Sequence, residues 1–183
     1  MDVSIFVETT LEDGETKRRN IARLNRAPDE FCSENLGLLL DDAKTLLGRL
    51  QEAIVQDQVG EAIEARRKCD GCAEQRAIHD DRGRILDTLF GRIQVKWPRL
   101  RRCLCQPAWT AKSGPQSPLA GLFSDRATPE LRRLQAELGA RHSFREAARL
   151  IEMFLPCSDQ SNTTVRNRLG SGPINRLAGP LAA

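Results

Sequence analysis

Cys69-Asp70-Gly71-Cys72, then Thr88-Leu89-Phe90-Gly91-Arg92-Ile93, then Cys103-Leu104-Cys105, is the stretch on which the reading of this chain turns. Two thiolates in a C-x-x-C with glycine in the turn can face one ion, because the tight loop aims backbone amides at the sulfurs. The second pair, C-x-C, follows thirty residues later. Between the pairs, Arg84–Phe90, Gly91 and Arg92–Trp97 read as strand, turn and strand. A cysteine pair, a β-hairpin and a second pair make a zinc ribbon, with Cys69, Cys72, Cys103 and Cys105 as the expected ligands of a structural Zn2+. Zinc suits four thiolates because it closes a tetrahedral shell without redox chemistry. It also replaces the hydrophobic core that a unit of about 40 residues cannot build. A redox C-x-x-C is the rival reading, but that motif wants a strand before it and a helix after it. Here a basic helical stretch precedes it. His79 is an available substitute ligand, although a lone histidine is more simply a surface residue. Cys32 and Cys157 read as small packing residues.

The 183 residues are 40% hydrophobic but only 4% aromatic. Small cores with few aromatics usually need metal or cross-links. No apolar run approaches the roughly 20 residues of a membrane span. Met1-Asp2-Val3 opens no secretory signal. A soluble, cytoplasmic protein with no membrane partner is expected, where thiols stay reduced and six cysteines point to metal rather than disulfides. The net charge of +3 hides an asymmetry. Residues 1–65 carry 7 basic and 14 acidic side chains, residues 66–103 carry 11 and 5, and residues 104–183 carry 10 and 6. Phosphate attraction depends on local clusters, so the last two thirds form the candidate nucleic-acid surface.

Working outward toward the N-terminus, Val3, Ile5 and Val7 alternate with polar residues as in a half-buried strand. Glu12-Asp13-Gly14-Glu15 supplies a turn, and Thr16–Leu24 returns as a second strand. Residues 25–34 connect to a helical stretch, Leu38 to Arg67, with Leu39, Ala43, Leu46, Leu47, Leu50 and Ile54 as its apolar stripe. Gly48 and Gly60 leave open whether this is one helix or two. Toward the C-terminus, Pro107, Pro115 and Pro118 mark an irregular linker. Thr128-Pro129-Glu130 caps a helix that Gly139 ends, and Ser143 with Glu146 is a capping box for a helix stopped by Pro156. Ser161 caps a last helix reaching about Leu169. The expected fold is α+β, in five parts. These are a β-hairpin plus helix (1–65), a small zinc ribbon (66–105), a Pro-rich linker (106–127), a three-helix helix-turn-helix-like unit (128–169) and a flexible tail (170–183).

Double-stranded DNA is the expected partner. On the ribbon, Arg84, Arg92, Lys96, Arg99, Arg101 and Arg102 are candidates for phosphate. Trp97 among them either stacks on a base or covers the metal site. In the last helix, Thr163, Thr164, Arg166, Asn167 and Arg168 are short polar and arginine side chains of the kind that read base edges from the major groove. The alternative for that unit is plain three-helix packing with solvated arginines.

Cys69-x-x-Cys72, Thr88 to Ile93, Pro98-Arg99 and Cys103-x-Cys105 resemble the N-terminal part of the ISKra group of insertion-sequence transposases. Ser143-Phe144-x-x-Ala147 and Thr164-Val165-Arg166 resemble its helical segment, so the likeness covers residues 1–169. The resemblance implies recognition of transposon-end DNA. Full transposases of this kind continue into a ribonuclease-H-like domain whose carboxylates hold two metal ions. No Asp or Glu follows Asp159, and the acids from Glu130 to Glu152 fall on short amphipathic helices. The expectation is thus a truncated transposase with no catalytic residues, not itself an enzyme, whose residues 170–183 are out-of-frame readthrough. The alternative is a zinc-stabilised interaction module that assembles with an intact transposase or as a homo-oligomer.

Overall fold

A single helix of 28 residues, α1 (Leu40–Arg67), runs between two antiparallel hairpins. The first is β1 (Asp2–Thr10) with β2 (Thr16–Asn25), and the second is β3 (Ile78–Thr88) with β4 (Gly91–Leu100). The structure, a computed structural model, describes residues 1–105, 114–123 and 125–156, together with Thr163 and Arg166. The alternation of β1 places Val3, Ile5 and Val7 on the half-buried face. Gly14, at φ 85°, closes the turn to β2, with its N–H donating to Leu11.

The helix is buried on two flanks rather than along one stripe. Ala53 and Asp57 face the first hairpin, where Arg19 of β2 hydrogen-bonds both. Val55, Val59 and Ile63 join Ile93 and Val95 of β4 in the main hydrophobic cluster. At 3.6 residues per turn, a two-residue step rotates by about 200°, so the two sets lie on opposite sides. This is why the expected stripe is partly wrong: Leu47 and Ile54 are exposed. Gly48 and Gly60 do not break the helix. A Cβ on Gly48 would stand 3.2 Å from the carbonyl oxygen of Phe90, so glycine lets the tip of the second hairpin approach the helix.

Leu119 is wholly buried and completes the same cluster, with Phe123 packed against it. Gln116 accepts from the Leu100 N–H. Leu119 and Phe123 of the expected linker therefore belong to the packed core. That core also joins α1 of the first expected unit to β4 of the second. The connection continues at Asp87, whose backbone pairs with Arg126 and Thr128 at the start of α2 (Pro129–Arg141).

Thr128 caps α2 by accepting from Leu131, with Pro129 in the first turn, and Ser143 caps α3 (Phe144–Phe154) by accepting from Glu146. Gly139 does not end α2, which continues to Arg141. Leu131, Ala147 and Ile151 are almost completely buried where these helices meet. Thr163 and Arg166 are helical and exposed, whereas Thr164, Asn167 and Arg168 lie outside the described residues, as do residues 106–113, Cys157 and the tail. Among the described residues, no helix is long and apolar enough to cross a membrane.

Candidate metal centre

The four expected ligands converge. The sulfurs of Cys69, Cys72, Cys103 and Cys105 all lie within 4.8 Å of one another. Cys69 and Cys105 are 3.4 Å apart and Cys72 and Cys103 are 3.3 Å apart. Four sulfurs about 2.3 Å from a tetrahedral ion sit about 3.8 Å from each other, so this spacing can hold one metal. Among the described residues, no other group of three or more His, Cys, Asp or Glu side chains is so placed. His79 is not among these ligands and lies 3.8 Å from Asp80 instead.

Local folding explains the convergence. After α1 the chain reverses tightly, with the Ala73 N–H donating to the Cys69 carbonyl and the Cys69 N–H to that of Glu74. Ala73 takes a left-handed conformation, φ 59°, which costs a residue with a Cβ about 1–2 kcal/mol. Arg76 then fastens the loop to the helix end by donating to the carbonyls of Arg66 and Arg67. The second pair comes from the far end of the hairpin. The Arg101 N–H donates to Ala77, which holds the exit of β4 beside the entry to β3.

The electrostatics favour a cation. Backbone amides of Gly71 and Cys72 bring the Cys69 thiol down to about 7, and Cys69 is buried. The Cys105 thiol is pushed far up by its neighbours Cys69, Cys103 and Cys72, and Cys72 is also raised. Without a positive centre, thiolates this close cannot all ionise. A metal ion reverses that penalty, because each thiolate then faces a positive charge.

Arg99 is clamped by Asp80, Arg92 pairs with the buried Asp87, and Arg84 lies over the Trp97 ring at 4.6 Å and reaches the Asp125 carbonyl. Arg92, Lys96, Arg101 and Arg102 are exposed. Trp97 belongs to the edge of the core, 5.7 Å from the Phe123 ring, and Arg84 occupies one of its sides. The acids that engage these arginines were absent from the expected site. The cross-strand register pairs Asp80 with Arg99 and Asp87 with Arg92, and it becomes readable once Leu89-Phe90 is set as the hairpin turn.

No family model matches this chain, and no curated protein matches it.

Proposed function

We propose that this chain is a zinc-stabilised DNA-binding segment of an insertion-sequence transposase resembling the ISKra group. The observation that carries the reading is the convergence of four cysteines at the base of a hairpin that carries the exposed Lys96 on β4 and leads into the exposed Arg101 and Arg102 just before Cys103. Four thiolates fill a tetrahedral shell and leave no open position, so the zinc holds structure rather than performing chemistry. The ribbon positions the segment on phosphates of transposon-end DNA, and the region around Thr163 and Arg166 reads bases. The segment performs no strand transfer itself.

The test is a fluorescence-anisotropy titration of the zinc-loaded chain with transposon-end DNA at several salt concentrations. Affinity that falls steeply with salt supports the reading, since phosphate contacts release counterions. Absence of binding at about 100 mM salt overturns it. A second reading, a zinc-stabilised interaction module, is favoured by one observation: Arg84, Arg92 and Arg99 are all engaged within the chain. It takes over if no DNA is bound.

A further inference from the structure

A two-stranded sheet has two outer edges, and the first hairpin treats its edges very differently. β2 carries Lys17, Arg18, Arg19 and Arg23, and it holds the bulge. Its pairing steps from Ala22 opposite Ile5 to Asn20 opposite Phe6, which leaves Ile21 as the extra residue. Charges and bulges are the devices that stop an edge from recruiting another strand. β1 has no bulge, and its only charges are the carboxylates of Asp2 and Glu8. Its nine residues, Asp2–Thr10, contain no Lys, Arg or Pro and run without an inserted residue. They are rich in the β-branched residues that favour strands. Among the described residues, β1 pairs only with β2, so its outer edge presents unpaired backbone groups. The second hairpin differs, because its edges are met by Arg126 and Thr128 at Asp87 and by Gln116 at Leu100.

Side chains on β1 indicate which strand fits. Asp2, Ser4, Phe6, Glu8 and Thr10 point outward, and Phe6 is 47% exposed with Arg18 at 4.5 Å from its ring centroid. We propose that β1 is a self-association edge, where a second copy of this chain adds its own β1 antiparallel, with Phe6 opposite the partner's Phe6. In that register Ser4 meets the partner's Glu8, and Asp2 meets the partner's Thr10. On the helix-facing side, Ile5 meets the partner's Val7. Every carboxylate faces a hydroxyl, and the aromatic pair sits at the centre. Sliding the copies by two residues one way sets Asp2 against the partner's Glu8, and like charges directly opposite destabilise a ladder. Sliding them the other way parts the aromatic pair and sets Phe6 against the partner's Glu8. The sheet order becomes β2-β1-β1-β2, with the charged β2 strands as the new edges. The contact is isologous, so it closes at two copies rather than propagating.

The experiment is sedimentation equilibrium of the full, zinc-loaded chain without DNA, across micromolar concentrations. The expected result is a concentration-dependent shift toward twice the 20.4 kDa chain mass. Phe6→Lys removes the aromatic pair and sets like charges opposite, weakening association by roughly tenfold or more. Phe6→Glu does the same alone, and mixing the two variants restores the dimer. Circular dichroism and zinc content of each variant, unchanged from the parent, show that the fold is kept. A parent chain that stays monomeric throughout, a dimer that Phe6→Lys leaves intact, or variants that fail to recombine would each overturn the proposal.

Discussion

Arg99 stands directly across the second hairpin from Asp80 and grips its carboxylate with two hydrogen bonds, Nε to Oδ1 at 2.7 Å and Nη2 to Oδ2 at 2.5 Å. Arg82 adds a third contact, and together they hold the Asp80 carboxyl far below the usual range. A guanidinium used in this way has little left to offer a phosphate. Its role is to fasten the two strands beside the cysteine pairs.

Arg99→Ala and Arg101→Ala should therefore behave differently, although their residues are neighbours on the same basic run. Arg101→Ala removes an exposed cation, which should weaken binding to all DNA sequences and lower the salt slope by about one unit. Arg99→Ala should leave that slope unchanged and appear instead as lower thermal stability. Anisotropy titrations at several salt concentrations, run with thermal melts, separate the two. An equal loss of slope in both variants would show that Asp80 releases Arg99 to DNA.

Removing a ligand should remove the metal. The purified chain is expected to hold one zinc, and Cys69→Ser should lose it. Because Arg76 ties the cysteine loop to the end of α1, and Asp87 ties the hairpin to α2, the loss should spread beyond residues 66–105. Elemental analysis after reducing purification gives the stoichiometry, and hydrogen exchange gives the spread. Full zinc content in Cys69→Ser would remove this residue from the ligand set.

Much of this arrangement was legible in the sequence because its signals are local. The cysteine spacing, the alternation of Val3, Ile5 and Val7, and the caps at Thr128 and Ser143 each act within a few residues. What was not legible depends on partners distant in the chain. A single stripe does not describe α1 because the helix serves two hairpins, so Ala53 and Val55 are both buried while Leu47 and Ile54 are not. Prolines mark irregular backbone, which is what a linker has, yet irregular backbone can still insert a side chain such as Leu119 into a core. The acids that engage Arg99 and Arg92, Asp80 and Asp87, become visible only through strand register.

The two helix glycines give a direct test of the packing. A Cβ on Gly60 would meet nothing within 4 Å among the described residues, so Gly60→Ala should stabilise the chain by about 0.5–1 kcal/mol through helix propensity. A Cβ on Gly48 would meet the Phe90 carbonyl oxygen at 3.2 Å, so Gly48→Ala should gain nothing and Gly48→Val should destabilise by about 1–3 kcal/mol. Denaturant unfolding of the three variants checks this. Equal gains at both glycines would remove the close approach of hairpin tip and helix.

The pairing of Asp57 with Arg19 supplies the last prediction, a dependence on pH. Arg19 donates to both oxygens of Asp57, Nη1 to Oδ2 at 2.7 Å and Nη2 to Oδ1 at 2.6 Å, across the junction of β2 and α1. These bonds pull the Asp57 carboxyl below its ordinary value, and they outweigh the opposing effect of burial. A carboxyl lowered in the folded state contributes stability that is complete above its unfolded value, about 4, and is lost as pH falls through the lowered one. Asp57→Asn should thus cost about 1–2 kcal/mol near neutral pH, less than a fully buried pair because Arg19 keeps access to water. The gap between parent and variant should stay constant from about pH 8 to about pH 5 and close only below about pH 4. Protonation of the thiols releases metal from both chains alike, so it cancels in the comparison. Chemical denaturation of the pair at each pH makes the measurement. A gap that already narrows between about pH 8 and about pH 6 would remove the dependence from Asp57.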